Sequence, residues 1–183
     1  NGIRAVEKKG FVDWLLSTEA DVICIQETKA KEGQLSPDLT NPTDITTGVS
    51  YKGYFYSAVR PGYSGTAIYA KTEPDAVENM GDERFDSEGR VTICKFGTTA
   101  VISAYFPNSQ DDDEGGHPRL EYKLAFNEAI HKNDYNAAVG ISTYSPGMSI
   151  DQFVKNAETA MYEAKQEYYK KIGKNPFFLS GIC

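Results

Sequence analysis

The feature that most constrains this chain is the stretch Val22-Ile23-Cys24-Ile25-Gln26-Glu27-Thr28-Lys29, a short apolar, β-branched run that stops abruptly on a carboxylate and an amine. It predicts a buried strand that delivers Glu27 to its exposed end, and a carboxylate placed there is suited to holding a divalent metal. A plainer alternative stands beside it, in which Glu27 and Lys29 cap a solvated strand end. The residues around the run have to decide between the two.

A chain of 183 residues, 40% hydrophobic and 12% aromatic, has the material for one sizeable core, or for one domain and a half, and is not disordered. Its net charge of −7 argues against holding nucleic acid through bulk positive charge, while leaving room for a local basic groove on an acidic body. Cys24, Cys94 and Cys183 lack the paired spacing of a zinc site. Cys24 and Cys94 fall inside apolar β-like runs and are read as buried thiols of a reducing, cytoplasmic compartment. No long apolar span and no charged-then-apolar leader points to a membrane or to export. The chain opens on Asn1 rather than methionine and reads as a fragment.

Along the chain, Phe11, Trp14, Leu15 and Thr18 share a helical face ahead of the opening strand. From Lys29 to Ser50 the composition turns to Gly, Ser, Pro, Asp, Asn and Thr without periodicity, which predicts a long surface loop. Tyr51 to Val59 and Thr66 to Ala70 read as neighbouring strands joined by the turn Pro61-Gly62-Tyr63-Ser64-Gly65. Val91 to Phe96 and Thr99 to Tyr105 flank Gly97-Thr98, a two-residue connection that closes a β-hairpin. Asp111 to Glu114 and His117 read as a solvated loop. Arg119 to Ile130 carries Leu120, Leu124 and Ile130 on a helical pattern, with Ala125 and Phe126 beside them. From Ala137 a strand, a turn and a capping box at Ser149-Ile150-Asp151-Gln152 lead into a strongly striped helix through Phe153, Val154, Ala157, Met161 and Tyr168, whose stripe is core packing.

Asn1-Gly2-Ile3-Arg4-Ala5, Gln26-Glu27-Thr28-Lys29, Tyr63-Ser64-Gly65, Glu88-Gly89-Arg90-Val91, Tyr105-Phe106-Pro107 and Arg119-Leu120-Glu121-Tyr122 occur in one order. Together they resemble the amino-terminal half of the exonuclease III and AP endonuclease family, from Asn1 to about Ile130. The resemblance implies an α/β fold, part of the αββα sandwich of the endonuclease/exonuclease/phosphatase type. It also implies Mg2+ or Mn2+ as cofactor and hydrolysis of phosphodiesters in double-stranded DNA, at abasic sites or 3′ ends. Such chemistry needs a group to activate water, a cation to offset phosphoryl charge and help for the departing oxygen. By resemblance Glu27 is a metal ligand, Asn1 stands beside the metal, and Tyr105 approaches the scissile phosphate. Arg4, Lys29, Tyr63, Ser64, Arg90 and Arg119 lie at motif positions near the DNA or its supporting framework. Such phosphate contacts position a duplex without reading its sequence.

The departures shape a further expectation. The family has an asparagine two residues before the position of Asn1, and a water-activating aspartate in a Gly-Asp-x-Asn motif at a strand end. Phe177-Phe178-Leu179-Ser180-Gly181 resembles that strand, but Ile182 and Cys183 follow, and Asp134-Tyr135-Asn136 follows a helix directly. Little or no catalysis is therefore expected of the chain as it stands. Residues 137 to 175 resemble the closing strand and last helix of diguanylate cyclase (GGDEF) domains without their signature, so the expected organisation is a half-domain over 1–130 and a strand-helix-strand tail over 131–183. The competing reading is a non-catalytic α/β scaffold or interaction module, chimeric or truncated. A monomer with no membrane attachment is expected in either case.

Overall fold

A computed structural model describes residues 2–109, 116 and 118–132, and beyond them residues 155, 156, 159, 163, 166, 167 and 170. The chain divides into two compact units, Asn1–Ile130 and His131–Cys183. In the second unit the described positions are helical and polar, and the Thr159 hydroxyl donates to the Lys155 carbonyl at 2.9 Å. The apolar stripe expected of that helix, Asp134-Tyr135-Asn136 and the run Phe177 to Gly181 lie outside the described residues, as do Asn1, His117, Cys183 and Asp111 to Glu114. Among the described residues no helix is long and apolar enough to cross a membrane.

The first unit begins with two short helices, α1 (Ile3–Glu7) and α2 (Phe11–Ser17), separated by a turn at Gly10. Strand β1 (Val22–Gln26) follows, then α3 (Pro37–Thr40), β2 (Lys52–Tyr56) and β3 (Thr66–Ala70). β3 lies between β1 and β2 and is antiparallel to both, so the predicted neighbours β2 and β3 do pair. A second antiparallel sheet is built from β4 (Ala76–Glu78), β5 (Val91–Phe96) and β6 (Thr99–Ala104). Phe96 pairs with Thr99, which makes Gly97-Thr98 the two-residue hairpin turn expected of it. A one-turn helix α4 (Glu83–Asp86) precedes β5, and α5 (Leu120–Lys132) closes the unit.

Successive strand residues point to opposite faces, and on the first sheet the two faces have different partners. Ile23, Ile25, Phe55 and Tyr69 face a cluster with Ile3, Leu15, Leu39 and Tyr51, so α1, α2 and α3 cover that side. Tyr69 is buried and donates its hydroxyl to the Leu39 carbonyl at 2.7 Å. The other face packs on the second sheet, where the hydroxyls of Thr66 and Thr92 meet at 2.8 Å. Two three-stranded antiparallel sheets packed face to face, with helices outside the first, match the partial αββα sandwich that the resemblance implies. Phe85 of α4 and Phe126 of α5 stack edge to face at 5.2 Å, and Phe126 meets Phe106, just beyond β6, at 5.3 Å.

Four expectations are corrected. Trp14 is 54% exposed, because Phe11, Val12, Leu15 and Leu16 already fill the inward arc of so short a helix. The loop after Lys29 is not only surface: Ala30, Leu35, Leu39 and Val49 reach into the core as isolated anchors. On α5 the buried residues are Phe126 and Ile130, while Leu120 and Leu124 face outward. Cys94 is buried as expected, but Cys24 is exposed: it lies on β1, at the edge of the first sheet, on the face opposite Ile23 and Ile25.

Candidate active site

β1 and β6 belong to different sheets, yet their ends are tied together. Gln26 donates its side-chain amide to the Ala104 carbonyl at 2.9 Å, and the Ser103 hydroxyl donates to the Ile25 carbonyl at 3.1 Å. The residues that leave the two strands, Glu27 and Tyr105, are therefore neighbours although 78 positions apart in sequence.

The chain after β1 turns sharply. Glu27 and Lys29 both adopt left-handed backbone, with φ of 57° and 53°, and Ser64 opposite them does the same at 44°. Each such residue costs on the order of 1–3 kcal/mol unless its surroundings impose the geometry. Here they do: Thr28 N–H donates to the Gly65 carbonyl at 3.1 Å, Lys29 N–H to the Ser64 carbonyl at 2.9 Å, and Ile3 N–H to the Thr28 carbonyl at 2.9 Å. Thr28 between them is buried. The two side chains that flank it emerge together, with Lys29 Nζ 3.4 Å from Glu27 Oε2.

The Tyr105 hydroxyl donates a hydrogen bond to Glu27 Oε1. That bond, helped by Lys29 against the effect of burial, holds the Glu27 carboxyl below its usual range. The same bond, with burial, pushes the Tyr105 phenol up to about 12. At neutral pH the site therefore presents an ionised carboxylate and a neutral phenol, with the Lys29 side chain beside them. An ionised, partly exposed oxygen ligand suits a hard divalent cation such as Mg2+, which commonly takes one or two protein carboxylates and fills its remaining positions with water and phosphate. Among the described residues no group of three or more His, Cys, Asp and Glu side chains surrounds the position.

Behind Tyr105 lies a second group of charges. Arg90 is only 3% exposed. Its Nε donates to Glu88 at 2.6 Å, one terminal nitrogen to the Tyr105 carbonyl at 2.9 Å, and the other to the Tyr63 hydroxyl at 3.1 Å. Arg119 donates to both oxygens of Glu88, at 2.8 and 2.9 Å, and to the Tyr63 hydroxyl. Its guanidinium lies 4.4 Å from the centre of the Tyr122 ring.

Of the residues singled out from sequence, Glu27, Lys29 and Tyr105 come together at one point, with Tyr63, Arg90 and Arg119 directly behind. Ser64 is 1% exposed and Arg90 nearly as buried. Arg4 is exposed on α1. Glu88 and Tyr122 received no role from sequence, although both lie inside motifs already quoted. The available signal was Glu88 itself, an acid two residues ahead of an arginine that enters a strand.

Comparison with known proteins puts these positions in a wider frame. The sequence profile of the Endonuclease/Exonuclease/phosphatase family matches residues 3–148. The chain is 40% identical over 132 residues to an exodeoxyribonuclease of Bacillus subtilis, covering 71% of this chain and 47% of that protein. It is 36% identical over 124 residues to the DNA repair nuclease APEX1 of Danio rerio, covering 67% of this chain and 37% of that one. It therefore spans about half the length, or less, of these curated relatives. Its fold is similar to that of an AP endonuclease from Archaeoglobus fulgidus, with a TM-score of 0.58 at 24% identity over 90% of this chain and 66% of that one.

Proposed function

Because this chain belongs to the Endonuclease/Exonuclease/phosphatase family, we propose that it serves divalent-metal-dependent hydrolysis of DNA phosphodiesters, at abasic sites or at 3′ ends of double-stranded DNA. Family relatives named as an exodeoxyribonuclease and a DNA repair nuclease support that reading. The observation that carries it is the meeting of Glu27, Lys29 and Tyr105 where β1 and β6 end. The family depends on a divalent metal, and the proposal takes it to be Mg2+ or Mn2+.

Glu27 would hold the metal, with Asn1 as a further ligand by resemblance. When bound, the metal supplies positive charge against the phosphoryl oxygens and makes a water easier to deprotonate. The described groups of the protein serve the phosphate and the DNA backbone, and none of them is the family's water-activating aspartate. Lys29 carries a second positive charge beside the carboxylate, placed to bind a phosphate oxygen. Tyr105 stays a neutral phenol and so remains a hydrogen-bond donor, able to pass from Glu27 to a phosphate oxygen as charge builds there. Arg4, exposed on α1, and Lys29 contact the DNA backbone, while Tyr63, Ser64, Arg90 and Arg119 maintain the frame.

Nicking of a duplex with a single abasic site, measured with Mg2+ and again with EDTA, tests the proposal. The expected result is weak nicking, because the sequence holds no Gly-Asp-x-Asn to activate water; what nicking there is requires the metal and falls by about 100-fold or more in Glu27→Ala, the scale on which loss of a transition-state charge contact registers. Undiminished nicking by Glu27→Ala would refute it, and a wild type that binds the duplex without nicking it would favour the non-catalytic scaffold instead.

A further inference from the structure

Two guanidiniums next to the proposed active site share one counter-charge. We propose that Glu88 is a positioning residue, whose two carboxylate oxygens lock Arg90 and Arg119 into a clamp that fixes Tyr63 and the backbone of Tyr105, and through it the Tyr105–Glu27 pair. The clamp stands on geometry alone, and only its effect on turnover rests on the nuclease reading.

A buried guanidinium has five N–H donors and no means of losing its charge, so its acceptors decide where it sits. Arg90 finds three: Glu88, the Tyr105 carbonyl and the Tyr63 hydroxyl. It also accepts, through its own carbonyl, the Tyr105 N–H at 2.8 Å, so that Arg90 grips the Tyr105 residue from both its amide and its carbonyl. Its guanidinium lies 5.0 Å from the centre of the Tyr105 ring. The direction in which Tyr105 leaves β6 therefore depends on where Arg90 is held.

What holds Arg90 is Glu88, and Glu88 is engaged a second time by Arg119 at the start of α5. Burial pushes the Glu88 carboxyl up, but hydrogen bonds from Arg119 and Arg90 bring it below its usual range, so it stays ionised. The carboxylate thus joins the entry of β5 to the entry of α5. With both guanidiniums also donating to the one Tyr63 oxygen, loss of the carboxylate charge leaves two cations facing each other across a phenol. Glutamine has nearly the same volume but only one acceptor oxygen, and its amide would point hydrogens at a guanidinium.

The test uses the chain with fluorotyrosine in place of tyrosine, followed by fluorine NMR. Signals of Tyr63 and Tyr105 are assigned by single Tyr→Phe variants, and Tyr51 and Tyr69, in the cluster under α1, α2 and α3, report on the fold. In Glu88→Gln the Tyr63 and Tyr105 signals are expected to move while those of Tyr51 and Tyr69 stay. Turnover on the abasic duplex is expected to fall about tenfold with KM held within about twofold, the pattern of a lost transition-state arrangement. Glu88→Asp keeps both oxygens but withdraws them by one methylene, and is expected to move the same two signals by less and in the same direction. Should Glu88→Gln fail to fold, Glu88→Asp decides. Tyr63 and Tyr105 signals unmoved in a folded variant would overturn the clamp, and so would equal movement of all four. A wild type that does not nick sinks the nuclease reading, and the fluorine shifts then decide the clamp by themselves.

Discussion

Gly65→Ala tests how tightly the turn that carries Glu27 is built. Gly65 has φ of 87°, and a Cβ added there would stand 2.2 Å from Thr28 Oγ1, with Thr28 Cβ and Lys29 N at 3.6 Å. The backbone term for a side chain at this φ is on the order of 1–3 kcal/mol. Forcing a methyl group against a buried hydroxyl adds about 1–3 kcal/mol more. The sum is a loss of roughly 2–6 kcal/mol, read as ΔΔG from urea unfolding followed by circular dichroism. The two parts can be separated, because Thr28 Oγ1 is buried with no hydrogen-bond partner among the described residues. Thr28→Ala removes that oxygen together with the buried Cγ2 methyl, so relief of the unsatisfied hydroxyl is set against about 1 kcal/mol of lost packing and the single change should be small. In the Thr28→Ala background, Gly65→Ala should lose its steric part and retain its backbone part, a coupling of about 1–3 kcal/mol. Additivity of the two changes within about 0.5 kcal/mol would refute the steric reasoning. A Gly65→Ala chain within about 0.5 kcal/mol of wild type would refute the whole estimate. Because the Gly65 carbonyl also accepts from Thr28 N–H, the single variant should bind metal more weakly at Glu27 as well.

Phe126→Ala should cost about 3–5 kcal/mol, and Leu124→Ala no more than about 0.5, because Phe126 is fully buried between Phe85 and Phe106 and Leu124 is 56% exposed. Urea unfolding of the two variants distinguishes them, and a reversed order would show that α5 packs by its leucines. Glu88 titrates lower in the folded chain than its ordinary value, so its contribution to stability is complete above about pH 4.3 and is lost as pH falls through the depressed folded value. Burial raises Tyr122 to about 12 in the fold, so its contribution is complete below about pH 10 and is lost as pH rises toward 12. Urea midpoints measured against pH should show both flanks, and the acid flank should flatten in Glu88→Gln.

The strands Thr66–Ala70 and Val91–Phe96 lie where β-branched and small apolar runs place them, and the Gly97-Thr98 hairpin follows from its turn dipeptide. Other features depend on contacts that no local pattern encodes. On α5 two overlapping stripes compete, one through Leu120 and Leu124 and one through Tyr122, Phe126 and Ile130. The aromatic stripe wins because Phe85 and Phe106, distant in sequence, supply its partners. Leu39 reaches the core from a stretch without periodicity because a single residue needs only one well-placed pocket, which Tyr69 closes by donating to its carbonyl. Glu27 is visible as a strand-end carboxylate from its own neighbours, and its link to Tyr105 requires the contact between β1 and β6. Glu88 is the clearest omission: Arg90 stands two residues along the chain, but Arg119, 31 positions on, is brought to it only by the packed fold.

The claim on which the rest depends is that Glu27 is where this protein takes up its metal. Titration of the chain with Mn2+ alone, followed by water-proton relaxation, measures this without reference to catalysis. Glu27→Ala is compared with Glu73→Ala, which removes an exposed carboxylate paired with Lys52. The account predicts Mn2+ binding weakened about tenfold or more in Glu27→Ala, as expected for loss of a direct ligand, and unchanged in Glu73→Ala. Equal Mn2+ affinity in the wild type and Glu27→Ala would contradict it.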